Sequence, residues 1–272
     1  MGGVLIYKKI NTFICLFIIV MLSAGCINQS NQLLSIELAK THRSNLLENG
    51  NVALYKSNDL QSLSKKVIEA PLLQQLPELP RGCEVTSLAM LLSYAGLQID
   101  KMELAEKIPK VPYYKHGLYG DPNDGFVGDM YSYDNDGYAV FNKPIESLAN
   151  RYMPGQIINL TGKPFELIED YIKKGVPVWV ITTSIYNVVP EKYWETWETA
   201  SGSIKITKKE HSVLLTGFDN KYVYVNDPLV EEKNRKLNRE DFLSGWKQLG
   251  SQAITLSLKL NPVAHHSFYE VD

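Results

Sequence analysis

The order in which the chain uses its helix-forming and strand-forming residues constrains its fold more than any other feature. From Glu84 to Ala95 apolar side chains fall at Val85, Leu88, Ala89, Leu92 and Ala95. That is the i, i+3, i+4, i+7 spacing of an amphipathic helix, and Gly96 supplies a stop. Shorter helices are predicted over Lys101 to Lys107, Pro144 to Tyr152 and Pro164 to Lys174. The β-branched and aromatic runs come afterwards: "VPVWVITT" from Val176, "HSVLLTGF" from His211, "YVYVN" from Tyr222 and "AITLSL" from Ala253, with a helix from Arg239 to Trp246 before the last. Helices first and antiparallel-type strands later predict an α+β domain whose sheet packs on the early helix.

Between the helical and strand-rich parts runs "YYKHGLYGDPNDGFVGDMYSYDNDGYAVFNKP", rich in Gly, Asp, Asn and Tyr, which reads as a long ordered loop. Neither "DPNDG" nor "DNDG" has oxygen ligands at alternate positions followed by a terminal glutamate, so the segment does not fit the calcium-loop template. His116 has no cysteine or nearby histidine to share a metal with. No metal and no cofactor is expected. The tyrosines from Tyr113 to Tyr138, with Trp194 and Trp197, read either as the wall of a substrate groove or as ordinary surface packing.

The N-terminus reads as a targeting segment. Lys8 and Lys9 precede the apolar run "FICLFIIVML" and then "SAGC" ending at Cys26, the charge, core and small-residue order of a secretory signal. Ser23, Ala24 and Gly25 before Cys26 resemble the lipobox of bacterial lipoproteins. That resemblance implies cleavage before Cys26, a lipid anchor on its sulfur, and a place on the extracytoplasmic face of a bacterial membrane. An uncleaved N-terminal anchor is the alternative. The expected organisation is a signal at 1–25, a polar tether at 26–70 that includes His42, a globular domain at 71–262 and a C-terminal tail at 263–272.

The whole chain has 28 basic and 30 acidic side chains; loss of Lys8 and Lys9 leaves a net charge of −4. Such a balance offers no basic footprint for nucleic acid. Cysteine usage is more telling. With Cys15 in the signal and Cys26 alkylated, Cys83 is the one thiol left, so neither an intramolecular disulfide nor a thiolate metal site is available.

Cys83 stands at the start of the first helix, where unpaired N–H groups and the positive end of the dipole favour thiolate. A small buried core cysteine is the alternative. A nucleophilic thiol needs a base and a group that orients the base. His211, at the start of a strand after "TASGSIKITKKE", is the candidate base, set against a surface histidine on a lysine-rich loop; His265 and His266 lie in the tail. "DNK" turns the strand back into "YVYVND", which brings Asp227 to the same sheet end as His211. There its carboxylate is expected to accept the imidazole Nδ1–H, with Asn226 as substitute and a plain turn before Pro228 as the alternative.

Taken together, "LPELPRGCEVTSLAMLLSYAG", "GDPNDGFVGD", "GVPVWV", "EHSVLLTGFD" and "VYVNDPL" resemble, in order, the peptidase-like domains related to bacteriocin leader peptidases, members of the papain-like cysteine peptidase superfamily. The resemblance spans roughly Leu72 to Leu258. It implies a papain-like α+β fold with a nucleophile helix packed on an antiparallel sheet, Cys83 as nucleophile, His211 as base and Asp227 as orienter. The family's oxyanion glutamine maps onto Gln75, with Gln74 as competitor. Leader peptidases have Gly after the nucleophile, whereas here Gly82 precedes Cys83 and Glu84 follows it, which loosens the glutamine register. They are also fused to transporter modules and work inside the cell, so for a chain expected outside it cleavage after a double-glycine leader is not to be assumed. The leading expectation is a membrane-anchored cysteine hydrolase acting on peptide or amide bonds. A non-catalytic peptide- or wall-binding lipoprotein and a peptidoglycan amidase or endopeptidase are the alternatives. The oligomeric state is not legible.

Overall fold

The computed structural model describes residues 66–258. The signal, the lipobox with Cys26, the tether as far as residue 65 and the tail with His265 and His266 lie outside the described residues. Five α-helices occur among the described residues: α1 (Cys83–Tyr94), α2 (Lys101–Lys107), α3 (Asn142–Tyr152), α4 (Phe165–Lys173) and α5 (Arg239–Gln248). The strands are β1 (Lys66–Val67), β2 (Lys110–Val111), β3 (Tyr114–Lys115), β4 (Leu118–Tyr119), β5 (Phe126–Val127), β6 (Ile157–Asn159), β7 (Val178–Thr183), β8 (Glu195–Thr199), β9 (Gly202–Ile206), β10 (Glu210–Phe218), β11 (Tyr222–Asn226), β12 (Arg235–Asn238) and β13 (Ala253–Leu256).

The main sheet runs β12-β11-β10-β7-β13-β6, all antiparallel. β10 is its longest strand. β7 pairs with it over Glu210 to Leu215, and β1 continues the same edge at Gly217 and Phe218. That close approach needs Gly217, whose absent Cβ would stand 2.4 Å from the Lys66 carbonyl oxygen. β1 lies upstream of Pro71, in the segment read from the sequence as tether.

The papain-like α+β arrangement is present, with Cys83 opening the helix that packs on the sheet. The helix is not amphipathic, however. Every residue of α1 from Cys83 to Leu92 is buried, because β10 and β7 cover one side and α2 and α3 the other. Its polar side chains are therefore satisfied internally, as burial demands. Thr86 Oγ1 donates to the Gly82 carbonyl at 2.7 Å, and Ser87 Oγ donates to the Ser212 carbonyl of β10 at 3.1 Å. From β7, the indole of Trp179 donates to the Glu84 carbonyl at 2.9 Å. The last two bonds lock α1 to the two central strands.

The segment from Tyr113 to Pro144 holds short strand pairs, and a second apolar cluster of Val127, Tyr138, Ala139, Trp197 and Ile206 sits beneath it. Trp197 reaches it from the β8–β9 hairpin, stacks on Tyr119 at 4.4 Å and meets Tyr113 and Tyr138 edge-on. The hairpin occupies "ETWETASGSIKI", much of which reads as loop from the sequence. Its strands are exposed on alternate residues and pair only with each other, so they lack the apolar run that marks a core strand.

Candidate active site

The loop before α1 and the rim of β10 converge on one cleft of about 330 Å³, bordered by Gln75, Cys83, Tyr138, Glu210 and His211, with Tyr113 and Tyr133 further out. Gly82 lets the loop turn tightly into the helix. A Cβ there would lie 2.5 Å from Leu79 Cβ. Arg81 fastens the same turn to the tyrosine-rich segment through the carbonyls of Asp129 and Ser132, and the Tyr133 hydroxyl donates to the Pro80 carbonyl at 2.8 Å. The Tyr113 to Tyr138 segment thus forms part of the cleft wall, as one of the two sequence readings has it. Trp197 is instead buried, and Trp194 borders a separate surface hollow.

His211 is 3% exposed and Asp227 2% exposed. They stand at the same end of the sheet because β10 and β11 are antiparallel neighbours joined by a short turn. The imidazole contact to Asp227 Oδ1, at 2.8 Å, is made by Nε2 and not by the Nδ1 expected from the sequence. That contact commits Nε2 to Asp227 and leaves Nδ1 as the other ring nitrogen of a residue that borders the cleft. Asp227 is no plain turn residue. Its Oδ1 also accepts the Leu229 N–H at 3.0 Å, and its Oδ2 accepts from the Tyr186 hydroxyl and from Arg235 Nη1 at 2.9 Å. Burial alone would raise this carboxyl, but the bond and charge of His211, with the Tyr186 hydroxyl and the Leu229 N–H, outweigh it. They hold the group well below the usual carboxylate range. Asn226 is spent elsewhere, donating to the carbonyls of Ala70 and Pro71 and accepting the Asn234 N–H.

Gln75 is 2% exposed and borders the cleft. Its amide nitrogen donates to the Leu79 and Pro80 carbonyls, each at 3.0 Å, and its Oε1 is buried with no partner. Gln74 is turned away and donates to the Val230 carbonyl at 2.7 Å.

Cys83 is a free, buried thiol. The position at a helix N-terminus favours its thiolate, but the surroundings work the other way. Burial first, then the acids Glu84 and Glu210, push the thiol well above its ordinary value, opposed by the Ser212 N–H. The thiol donates to Glu84 Oε2 at 3.3 Å. Sequence reasoning missed Glu84, Glu210, Tyr186 and Arg235 as members of the site. Glu84 and Glu210 each adjoin a candidate catalytic residue, which was an available signal. Tyr186 and Arg235 arrive through tertiary folding alone.

Comparison with known proteins places the domain in a family. The profile of the peptidase C39-like family matches residues 67–254. The chain belongs to the peptidase C39-like family. It is 48% identical over 196 residues to the uncharacterized protein YvpB of Bacillus subtilis (strain 168), a match covering 71% of this chain and 76% of that protein. It is also similar to the crystal structure of a candidate C39-like peptidase from Bacillus anthracis, at 46% identity and a TM-score of 0.70, covering 71% of this chain and 96% of that one. Membership of this family supports a peptidase-type hydrolase fold for the domain. No helix among the described residues is long and apolar enough to cross a membrane.

Proposed function

We propose that this C39-like domain is a cysteine hydrolase of peptide or amide bonds, working through Cys83, His211 and Asp227. The observation that carries the reading is the His211 Nε2 contact to a buried, ionised Asp227, with His211 and Cys83 bordering one cleft. In this reading His211 Nδ1 accepts the thiol proton as the sulfur attacks the carbonyl carbon, and Asp227 fixes the ring and stabilises the imidazolium. The imidazolium then protonates the departing amine. Water, activated by the same nitrogen, hydrolyses the thioester and restores the thiol.

The oxyanion is assigned to the Cys83 backbone N–H, one of the helix-start groups without an intrahelical acceptor, and to Gln75. One Gln75 N–H must leave the Leu79 or Pro80 carbonyl to serve, and each well-placed donor contributes about 3 kcal/mol to the transition state. The substrate is a peptide, or a peptide of the cell wall, and the protein is held at the extracytoplasmic membrane face by a lipid on Cys26.

One experiment tests both halves. Cells producing wild type, Cys26→Ala and Cys83→Ala are fractionated, and each fraction is assayed on a peptide library and on peptidoglycan fragments. The expected activity sediments with membranes in wild type and is absent in Cys83→Ala, and the wild-type N-terminal peptide, read by mass spectrometry, starts at a lipid-bearing Cys26 that Cys26→Ala lacks. Hydrolysis that survives in Cys83→Ala rules out the triad. A wild-type N-terminus that carries no lipid on Cys26 rules out the lipid anchor.

A further inference from the structure

The nucleophile has a titratable neighbour on each side that the hydrolytic cycle does not use. Glu84, in the first turn of α1, is 1% exposed. Its Oε1 accepts the Val140 N–H at 2.7 Å, which pins the carboxylate so that Oε2 faces Cys83 Sγ. Glu210 comes from the opposite wall as the first residue of β10, immediately before His211. Its Oε1 is buried without a hydrogen-bond partner. One ligand-capable atom each from Cys83, Glu84 and Glu210 lie within 4.8 Å of one another.

No cation is committed to this cluster among the described residues. Lys208 borders the cleft, but its side chain is 63% exposed and stands 4.0 Å from Glu195. Arg81 is donated to backbone carbonyls, and Arg235 is paired with Asp227. The other titratable groups around the sulfur are Tyr138 from the loop, Tyr186 after β7, and His211 with Asp227 behind it. Two buried carboxylates this close cannot both ionise cheaply, so the pair retains a proton that exposed acids would lose. Burial pushes Glu84 up to about 7, and burial together with Glu84 raises Glu210 further above its ordinary value.

We propose that Glu84 and Glu210 are positioning residues that act through Cys83: as a carboxylate pair against the sulfur, they hold the free protein's nucleophile as a neutral thiol directed at Glu84. The proposal rests on Cys83 being the nucleophile. A thiolate at this place would add a negative charge to a pocket that already carries carboxylate charge and has no committed cation. The reactive form is then reached only as His211 takes the proton during attack, not as a standing thiolate–imidazolium pair.

The test is the rate of iodoacetamide alkylation of Cys83 against pH in the full chain, read on the Cys83 peptide by mass spectrometry. Wild type is compared with Glu84→Gln, Glu210→Gln, the double variant Glu84→Gln/Glu210→Gln and Glu210→Asp. The Glu84→Gln variant keeps a carbonyl for the Val140 N–H, and Glu210 Oε1 has no bond to lose, so folding does not hinge on either charge. The double variant, which removes the pair's whole charge, is expected to lower the pH of half-maximal alkylation by about one unit, or about tenfold faster labelling at pH 7. Each single Gln variant frees the remaining acid to ionise and moves less, and Glu210→Asp follows wild type. A double variant that superimposes on wild type, or labels more slowly, overturns the proposal. The readout needs no substrate, so a failure to hydrolyse peptides counts against the hydrolase reading alone.

Discussion

Asp227 shows how much of the site depends on single side chains. Four donors converge on its two buried oxygens, and they hold the carboxyl below the range it has in an unfolded chain. A carboxyl depressed by folding stabilises the native state fully above its unfolded value of about 3.9 and loses that contribution as pH falls through the folded value. Wild type should therefore lose more stability between pH 7 and pH 3 than Asp227→Asn does, measured as the shift in urea midpoint. Equal shifts would mean that the four bonds do not favour the ionised form. At this scale the sequence was informative where chemistry is local: Cys83 at a helix start, His211 at a strand start and Asp227 across a short turn. The choice of imidazole nitrogen was not legible, because it depends on which side of the ring β11 presents its carboxylate. The raised thiol was not legible either, because the dipole argument omits Glu210 and the burial of the helix start.

At the scale of elements, α1 and the loop before it place the Cys83 thiol. The 75–82 loop folds back on itself through Leu79 N–H to the Gln75 carbonyl and Gly82 N–H to the Leu79 carbonyl, leaving no room for a side chain at residue 82. Gly82→Ala forces Leu79 Cβ or the backbone to move, a strain of about 1–3 kcal/mol. The expected result is a Tm several degrees lower, with markedly slower hydrolysis, since the same turn carries Cys83. A variant as stable and as active as wild type would show that the turn has slack. The helices and core strands were legible to within two residues because their periodicity is strong. α2 matches its predicted span, while α3 begins two residues earlier than expected, at Asn142. The β8–β9 hairpin, β12 and the three-residue β6 were missed. In the hairpin and β12 exposed residues interrupt the apolar ones, and β6 is too short to show a pattern, so no run of strand-forming hydrophobics marks them.

Over the whole domain, helices first and strands later was enough to set the α+β class, and the motif order was enough to suggest the papain-like arrangement. Burial on both sides of α1 was beyond the sequence. Val85, Leu88, Ala89 and Leu92 mark one buried face, but the burial of the polar residues shows only in the folded domain, where Glu84 meets Val140 and Cys83, Thr86 turns back onto the Gly82 carbonyl and Ser87 bonds β10. If the domain brings a thiol and an Asp-held imidazole together for hydrolysis, the sulfur is acylated during turnover. Acid-quenched turnover of an activated acyl ester, with the site and rate of acylation read by mass spectrometry in wild type and in His211→Ala, tests this. An acyl group is expected on the Cys83 peptide, forming about 10²–10⁴-fold more slowly without the imidazole. Acylation elsewhere, or at an unchanged rate in His211→Ala, would overturn the triad.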